Sequence, residues 1–110
     1  FNEDISAWDT SSVTSMNELF QDASSFNQDI GGWSVGAVID MEEMFDGAST
    51  FNQDISGWAV HSVESMTFMF LYATAFDQDL GGWAVDRVTT MSNLFNQASS
   101  FNQDIGAWDT

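Results

Sequence analysis

A carboxylate recurs at one fixed place along the chain, as Asp4, Asp29, Asp54, Asp79 and Asp104. A fold that stacks these residues at the spacing of neighbouring strands would set like charges ~4.8 Å apart, and they would repel. Two arrangements relieve that. Ca²⁺ held between the carboxylates, with oxygens of the Asn2 and Gln28 type completing the shell, suits a hard cation. Alternatively each Asp accepts hydrogen bonds from backbone N–H groups of the Gly-Trp turn that follows it, as Asx motifs do. The second arrangement needs nothing beyond the chain and is preferred. No other cofactor is implied.

The remaining reactive side chains are sparse. Glu42 and Glu43 are adjacent and Asp40 is close by, but neighbours on a helix point apart, so they read as a solvated face. His61 is the only histidine, and no Ser-His-Asp or metal-ligand spacing surrounds it. Arg87 reads as a surface charge. With no nucleophile, base or cofactor motif assembled, the sequence is expected not to encode an enzyme. Trp8, Trp33, Trp58, Trp83 and Trp108 could stack against sugar rings; packing between neighbouring segments is the simpler reading, because large aromatics dominate burial.

What must position these residues is a repeat. Phe1, Phe26, Phe51, Phe76 and Phe101 step by 25 without slip, as do the Asp and Trp columns. So do Val13, Met16, Phe20 and Ala23 with their later counterparts. The unit is F-N-Q-D-I-x-G-W-x-V-x-x-V-x-x-M-x-x-[LM]-F-x-x-A-[ST]-x. The copies run 1–25, 26–50, 51–75 and 76–100, with a partial one at 101–110, and the chain reads as an excerpt of a longer array. One unit is too small to bury a core, whereas stacked neighbours bury a continuous one.

Composition narrows the partners. There are 17 Asp and Glu against a single Lys or Arg, for a net charge of −16. Binding to nucleic acid needs cations that displace phosphate counterions, so that class is set aside, and an anionic membrane surface would repel the chain. No apolar run approaches the ~20 residues of a membrane span. Cysteine is absent, so no disulfide framework exists. Protein partners, self-association and neutral glycans remain.

The second half of each unit predicts a short helix near residues 12 to 22. Val13, Met16, Leu19, Phe20 and Ala23 fall on one face at a 3.6-residue period, and Ser11 or Ser12 (Ser62 in the third copy) offers an N-cap. The first half predicts a very short strand near residues 3 to 6, repeated as a parallel ladder. The expected fold is a right-handed α/β solenoid of about four coils, each one strand and one helix, which is the leucine-rich-repeat plan with its ~20–29-residue period. An all-β solenoid is the alternative.

The motifs F-N-Q-D-I-S-G-W-x-V and S-V-x-S-M-x-x-M-F, as they stand from Phe51 to Phe70, resemble the BspA-like leucine-rich-repeat surface proteins and the related repeats of mycoplasma-type surface lipoproteins. The resemblance covers the whole chain. It implies a secreted or cell-surface protein that works in adhesion or partner binding, and it supplies no catalytic residues. Asp77 in place of Asn and Leu80 in place of Ile depart from the pattern.

Departures within the third copy carry more. Phe68 stands where the other copies have Glu18, Glu43 and Asn93; Leu71 where they have Gln21, Asp46 and Asn96; Tyr72 where they have Asp22, Gly47 and Gln97. On a helical wheel the three lie together, opposite Val63, Met66, Phe70 and Ala73. They are expected to form an exposed apolar patch that contacts a partner. The expected function is a surface-displayed structural or binding module for adhesion or protein recognition. The alternatives are a calcium-dependent or glycan-binding module and a subunit of an extracellular fibre.

Overall fold

The computed structural model describes residues 1–108, so the last two residues of the partial fifth copy lie outside it. Its architecture follows from where the backbone N–H groups go. Met16, Glu18, Phe20 and Asp22 donate across to the carbonyls of Asp40, Glu42, Met44 and Asp46 at 2.7–2.9 Å. The same four positions of the second copy donate to Ser65, Thr67, Met69 and Leu71, and those of the third to Thr90, Ser92, Leu94 and Asn96. The residues in between close tight local turns instead: Leu19 N–H to Met16, Gln21 N–H to Glu18, Ala23 N–H to Phe20. One set of amides therefore joins copies and the other folds each copy, which satisfies the donors without helix or extended strand.

The expected helix is overturned by this pattern, and with it the strand-and-helix solenoid. Among the described residues there is no α-helix. Positive φ occurs at Glu18, Glu43, Phe68 and Asn93 and again at Asp22, Gly47, Tyr72 and Gln97, all between 55° and 73°. Two left-handed residues four positions apart end any right-handed helix before it completes a turn. The apolar spacing mimicked a helix because successive tight turns also return the chain to the core every three or four residues. Ser11, expected as an N-cap, instead gives its amide and hydroxyl to the Asp9 carboxylate at 3.1 and 2.6 Å.

The all-β alternative is overturned as well. Among the described residues, strand pairing is confined to single-residue parallel bridges that link Ser15, Asp40, Ser65 and Thr90. No strand forms near residues 3 to 6, because a side chain intercepts the amide that would have built the ladder. Asn2 Oδ1 accepts the Asn27 N–H at 2.9 Å and the Gln28 side-chain amide at 3.0 Å. Asn27, Asn52 and Asp77 repeat the arrangement towards the next copy. Asp77 serves where Asn is usual because only the acceptor oxygen is used. The leucine-rich-repeat and solenoid descriptions therefore do not apply; the chain is a compact globule of 34 × 32 × 19 Å.

The core is a set of aromatic stacks. Phe20, Phe45, Phe70 and Phe95 lie ring over ring at 5.4–5.6 Å between centroids. Phe1, Phe26, Phe51, Phe76 and Phe101 form a second stack at 5.7–6.1 Å. The stacks interlock, each ring of the first lying 3.9–4.3 Å from one of the second. Offset aromatic pairs add about 0.5–1.5 kcal/mol each beyond their buried area. Met41, Met44, Met66 and Met69 fill the space beside them and are fully buried.

Four of the five Trp residues belong to this packing, while Trp8 stacks on Trp33 but is exposed. Trp33, Trp58 and Trp83 are buried. The indole N–H of Trp33, Trp58, Trp83 and Trp108 donates to the carbonyl of Ile5, Ile30, Ile55 and Leu80 in the preceding copy, at 2.8–3.1 Å. Each ring thus pins two copies together, by area and by a hydrogen bond at its polar end. No helix among the described residues is long and apolar enough to cross a membrane.

Candidate functional site

The five repeated Asp residues are all exposed, and each closes its own turn. Oδ1 of Asp4, Asp29, Asp54, Asp79 and Asp104 accepts the N–H of Ser6, Gly31, Ser56, Gly81 and Gly106 at 2.8–3.0 Å. The Ser6 and Ser56 hydroxyls add bonds of 2.7 and 2.6 Å. Those hydroxyls, and then the amides, hold the carboxyls of Asp4 and Asp54 below the ordinary aspartate value. Gly31 is required by close approach: a side chain there would run into the Asp54 carbonyl and the Asp29 carboxylate. Among the described residues no three His, Cys, Asp or Glu side chains come together closely enough to hold a metal ion.

The other sequence-level candidates are separated by the fold. Glu42 accepts the Ser65 hydroxyl at 3.3 Å, whereas Glu43 accepts the Gln21 side-chain amide at 2.6 Å. The adjacent carboxylates thus reach opposite neighbouring copies. His61 and Arg87 are both exposed, with His61 beside Gly36.

Phe68, Leu71 and Tyr72 share one turn segment, where the Leu71 N–H closes on the Phe68 carbonyl, and do not form one face of a helix. They lie on the tight turns of the third copy, and the chain around them is anchored: Val63, Met66, Met69, Phe70 and Ala73 are fully buried. Phe68 and Leu71 are half-buried, while Tyr72 is 55% exposed. Phe68 and Tyr72 hold the two left-handed positions, with φ of 59° and 57°. The other copies place Glu, Asp, Asn, Gln or Gly there. A bulky residue with positive φ is uncommon, at a cost of about 1–2 kcal/mol.

The surroundings of this patch could not be read from a helical wheel. Gln21 donates to both Glu43 and Asp46, at 2.6 and 3.2 Å, so side chains of those two columns face each other across the copies. One copy further on, the same columns hold Phe68 and Leu71. The backbone fixes the register: Glu43 N–H donates to Thr67 at 3.0 Å and Gly47 N–H to Leu71 at 2.8 Å. Next to Tyr72 in its own column is Gly47, and the Asp22 carboxylate occupies the space that a side chain at 47 would take. By that register Glu43 and Asp46 stand one copy back in the columns of Phe68 and Leu71, their carboxylates shared with Gln21, and Asp22 lies two copies back from Tyr72, across Gly47. The signal available in the sequence was that Gly47 shares a column with Asp22, Tyr72 and Gln97, which marks a left-handed position.

The pattern of the family described as Mycoplasma protein of unknown function, DUF285, matches residues 1–80 and, in an overlapping second placement, residues 32–110. The chain belongs to that family. No curated protein and no solved structure matches it.

Proposed function

We propose that the chain is a non-enzymatic binding module, displayed at a cell surface or secreted, that recognises a partner through the third copy. The observation that carries this reading is the placement of Phe68 and Tyr72. Both are exposed or half-exposed aromatics on left-handed backbone, where the repeat offers polar residues or glycine. Folding gains little from bulky rings at those positions, and contact sites are enriched in Tyr and other aromatics. Kinship with the BspA-like surface proteins is part of the same proposal and concerns location and role, not leucine-rich architecture.

Beads coated with the chain and passed over protein- and glycan-coated surfaces test it. Wild-type beads should be retained, and beads carrying Phe68→Glu, Leu71→Gln and Tyr72→Asp should be washed off. Those replacements are the residues of other copies, so melting curves of the variant should stay close to wild type. Equal retention of the two would overturn the reading. Light scattering on both proteins shows whether the face binds a second copy instead.

A further inference from the structure

The apolar face of the third copy does not stand alone, and its border says what it should take. We propose that the Phe68, Leu71 and Tyr72 face, with Glu43 and Asp46 of the second copy in the adjoining positions and Asp22 of the first copy beyond Gly47, binds an extended protein segment that sets a Lys or Arg side chain beside an apolar one. The inference rests on the reading of this face as a partner site.

Charge complementarity selects the occupant. The chain carries one basic side chain of its own against 17 acidic ones, so beyond the neutral Gln21 amide, which donates to both Glu43 and Asp46, it has almost no counter-charge to offer these carboxylates. A second copy would bring −16 against −16. A cationic segment brings what is missing. Its ammonium or guanidinium can lie over the Tyr72 or Phe68 ring, where the ring quadrupole attracts it, while the carboxylates of the second copy neutralise it from the side. Gly47 leaves the second-copy flank of Tyr72 without a side chain of its own, and the Asp22 carboxylate stands over that gap. Leu71 and the half-buried ring of Phe68 supply the apolar contact.

The border is also crowded with like charge. Partial burial pushes the Glu43 carboxyl up, and the charges of Glu18, Asp46 and Glu42 push it further, against the lowering effect of the Gln21 amide. A cation docked there would relieve that repulsion, whereas an anionic or neutral occupant would leave it in place.

Calorimetric titration at physiological salt decides the matter, with a short peptide alternating lysine and leucine and its glutamate–leucine counterpart. The lysine peptide should bind wild type, and the Phe68→Glu, Leu71→Gln, Tyr72→Asp variant should bind it roughly tenfold more weakly. That variant is more negative than wild type, so diffuse attraction to an acidic protein would make it bind at least as tightly; that result overturns the proposal. Glu43→Gln with Asp46→Asn should weaken binding more than the same charge change made at Glu3→Gln with Asp86→Asn, and equal effects would also overturn it. If the triple variant does not fold, Tyr72→Gly, which copies Gly47, gives the same comparison. The glutamate peptide and a neutral malto-oligosaccharide separate this inference from the broader one. Binding of either that the triple variant loses keeps the face as a contact site but removes the cationic partner. Binding of none of the probes, with bead retention also unchanged by the variant, removes both.

Discussion

Two segments of each copy solve the same problem by different means. The turn segment at residues 17–22, and its counterparts, joins the copies through backbone N–H and C=O groups, with Phe20-type rings beneath. The Phe-Asn-Gln-Asp-Ile segment joins them through side chains: an Asn or Asp oxygen takes the next copy's amide, and a Gln amide bonds back. The first arrangement constrains conformation and leaves the outward side chains free to vary. The second constrains side chains and leaves little to vary. This is why Phe68, Leu71 and Tyr72 could replace polar residues in the turn segment, whereas the one change in the Asn column, Asp77, keeps the acceptor.

The largest test of the contrast removes what lies beneath the turn segment. Phe70 is fully buried, with Phe45, Phe76 and Phe95 at 5.4, 4.3 and 5.5 Å. Phe70→Ala should lower stability by about 3–5 kcal/mol in denaturant unfolding. A loss under about 1 kcal/mol would mean that the stack is not the core.

A smaller effect is expected from the side-chain ladder. Asn27→Ala deprives the Asn52 amide of its acceptor at 2.9 Å and the Gln53 side chain of one of its two, at 3.2 Å, leaving the Asn27 carbonyl at 3.0 Å. The site is exposed, so water compensates in part, and about 1 kcal/mol should be lost. Asn27→Asp keeps the acceptor and should cost much less, as Asp77 already shows for the geometry. Equal losses for Ala and Asp would mean that the amide nitrogen, rather than the oxygen, matters.

Smaller still, and opposite in sign, is relief of the left-handed positions. Tyr72→Asn should raise stability by up to about 1 kcal/mol, since Asn tolerates positive φ better than an aromatic does. A destabilised Tyr72→Asn would show that the ring contributes to the core and is not held there for contact.

The same division governs what the sequence disclosed. The 25-residue step and the burial of most of the Phe, Met and Trp columns follow from side-chain polarity, and polarity is visible in a sequence; the expected exposure of Phe68, Leu71 and Tyr72 holds for Tyr72, while Phe68 and Leu71 are half-buried. The backbone path is not. Apolar residues at Val13, Met16, Phe20 and Ala23 fit a helix and a run of tight turns about equally well, and period alone does not separate them. The available clue was Asn93 in the column that begins with Glu18, and Asp22 and Gly47 in the next, since left-handed backbone prefers those residue types. The carboxylate border was hidden for the same reason, since a wheel drawn for a single helix says nothing about which residues of the next copy stand alongside.

Acid titration sharpens the comparison, because the two segments respond with opposite signs. In the Phe-Asn-Gln-Asp-Ile segment, serine hydroxyls and amides lower the Asp4 and Asp54 carboxyls from the ordinary 3.8. A group whose folded value is depressed contributes stability that is present above its unfolded value and lost as pH falls through the folded one. In the turn segment, Glu43 is raised from the ordinary 4.5 by burial and by Glu18, Asp46 and Glu42. Its contribution has the reverse sense: fully present below the unfolded value and lost as pH rises through the folded one. Going down from neutral pH, melting temperature should therefore first gain from protonation of Glu43 and only then fall as Asp4 and Asp54 are protonated. Glu43→Gln should flatten the gain and leave the acid limb untouched. Ser6→Ala with Ser56→Ala should weaken the acid limb and leave the gain, because those hydroxyls are the main cause of the lowered values. If Glu43→Gln leaves the whole profile unchanged, the carboxylates bordering Phe68 and Leu71 are not crowded, and the turn segment differs from its partner only in backbone conformation.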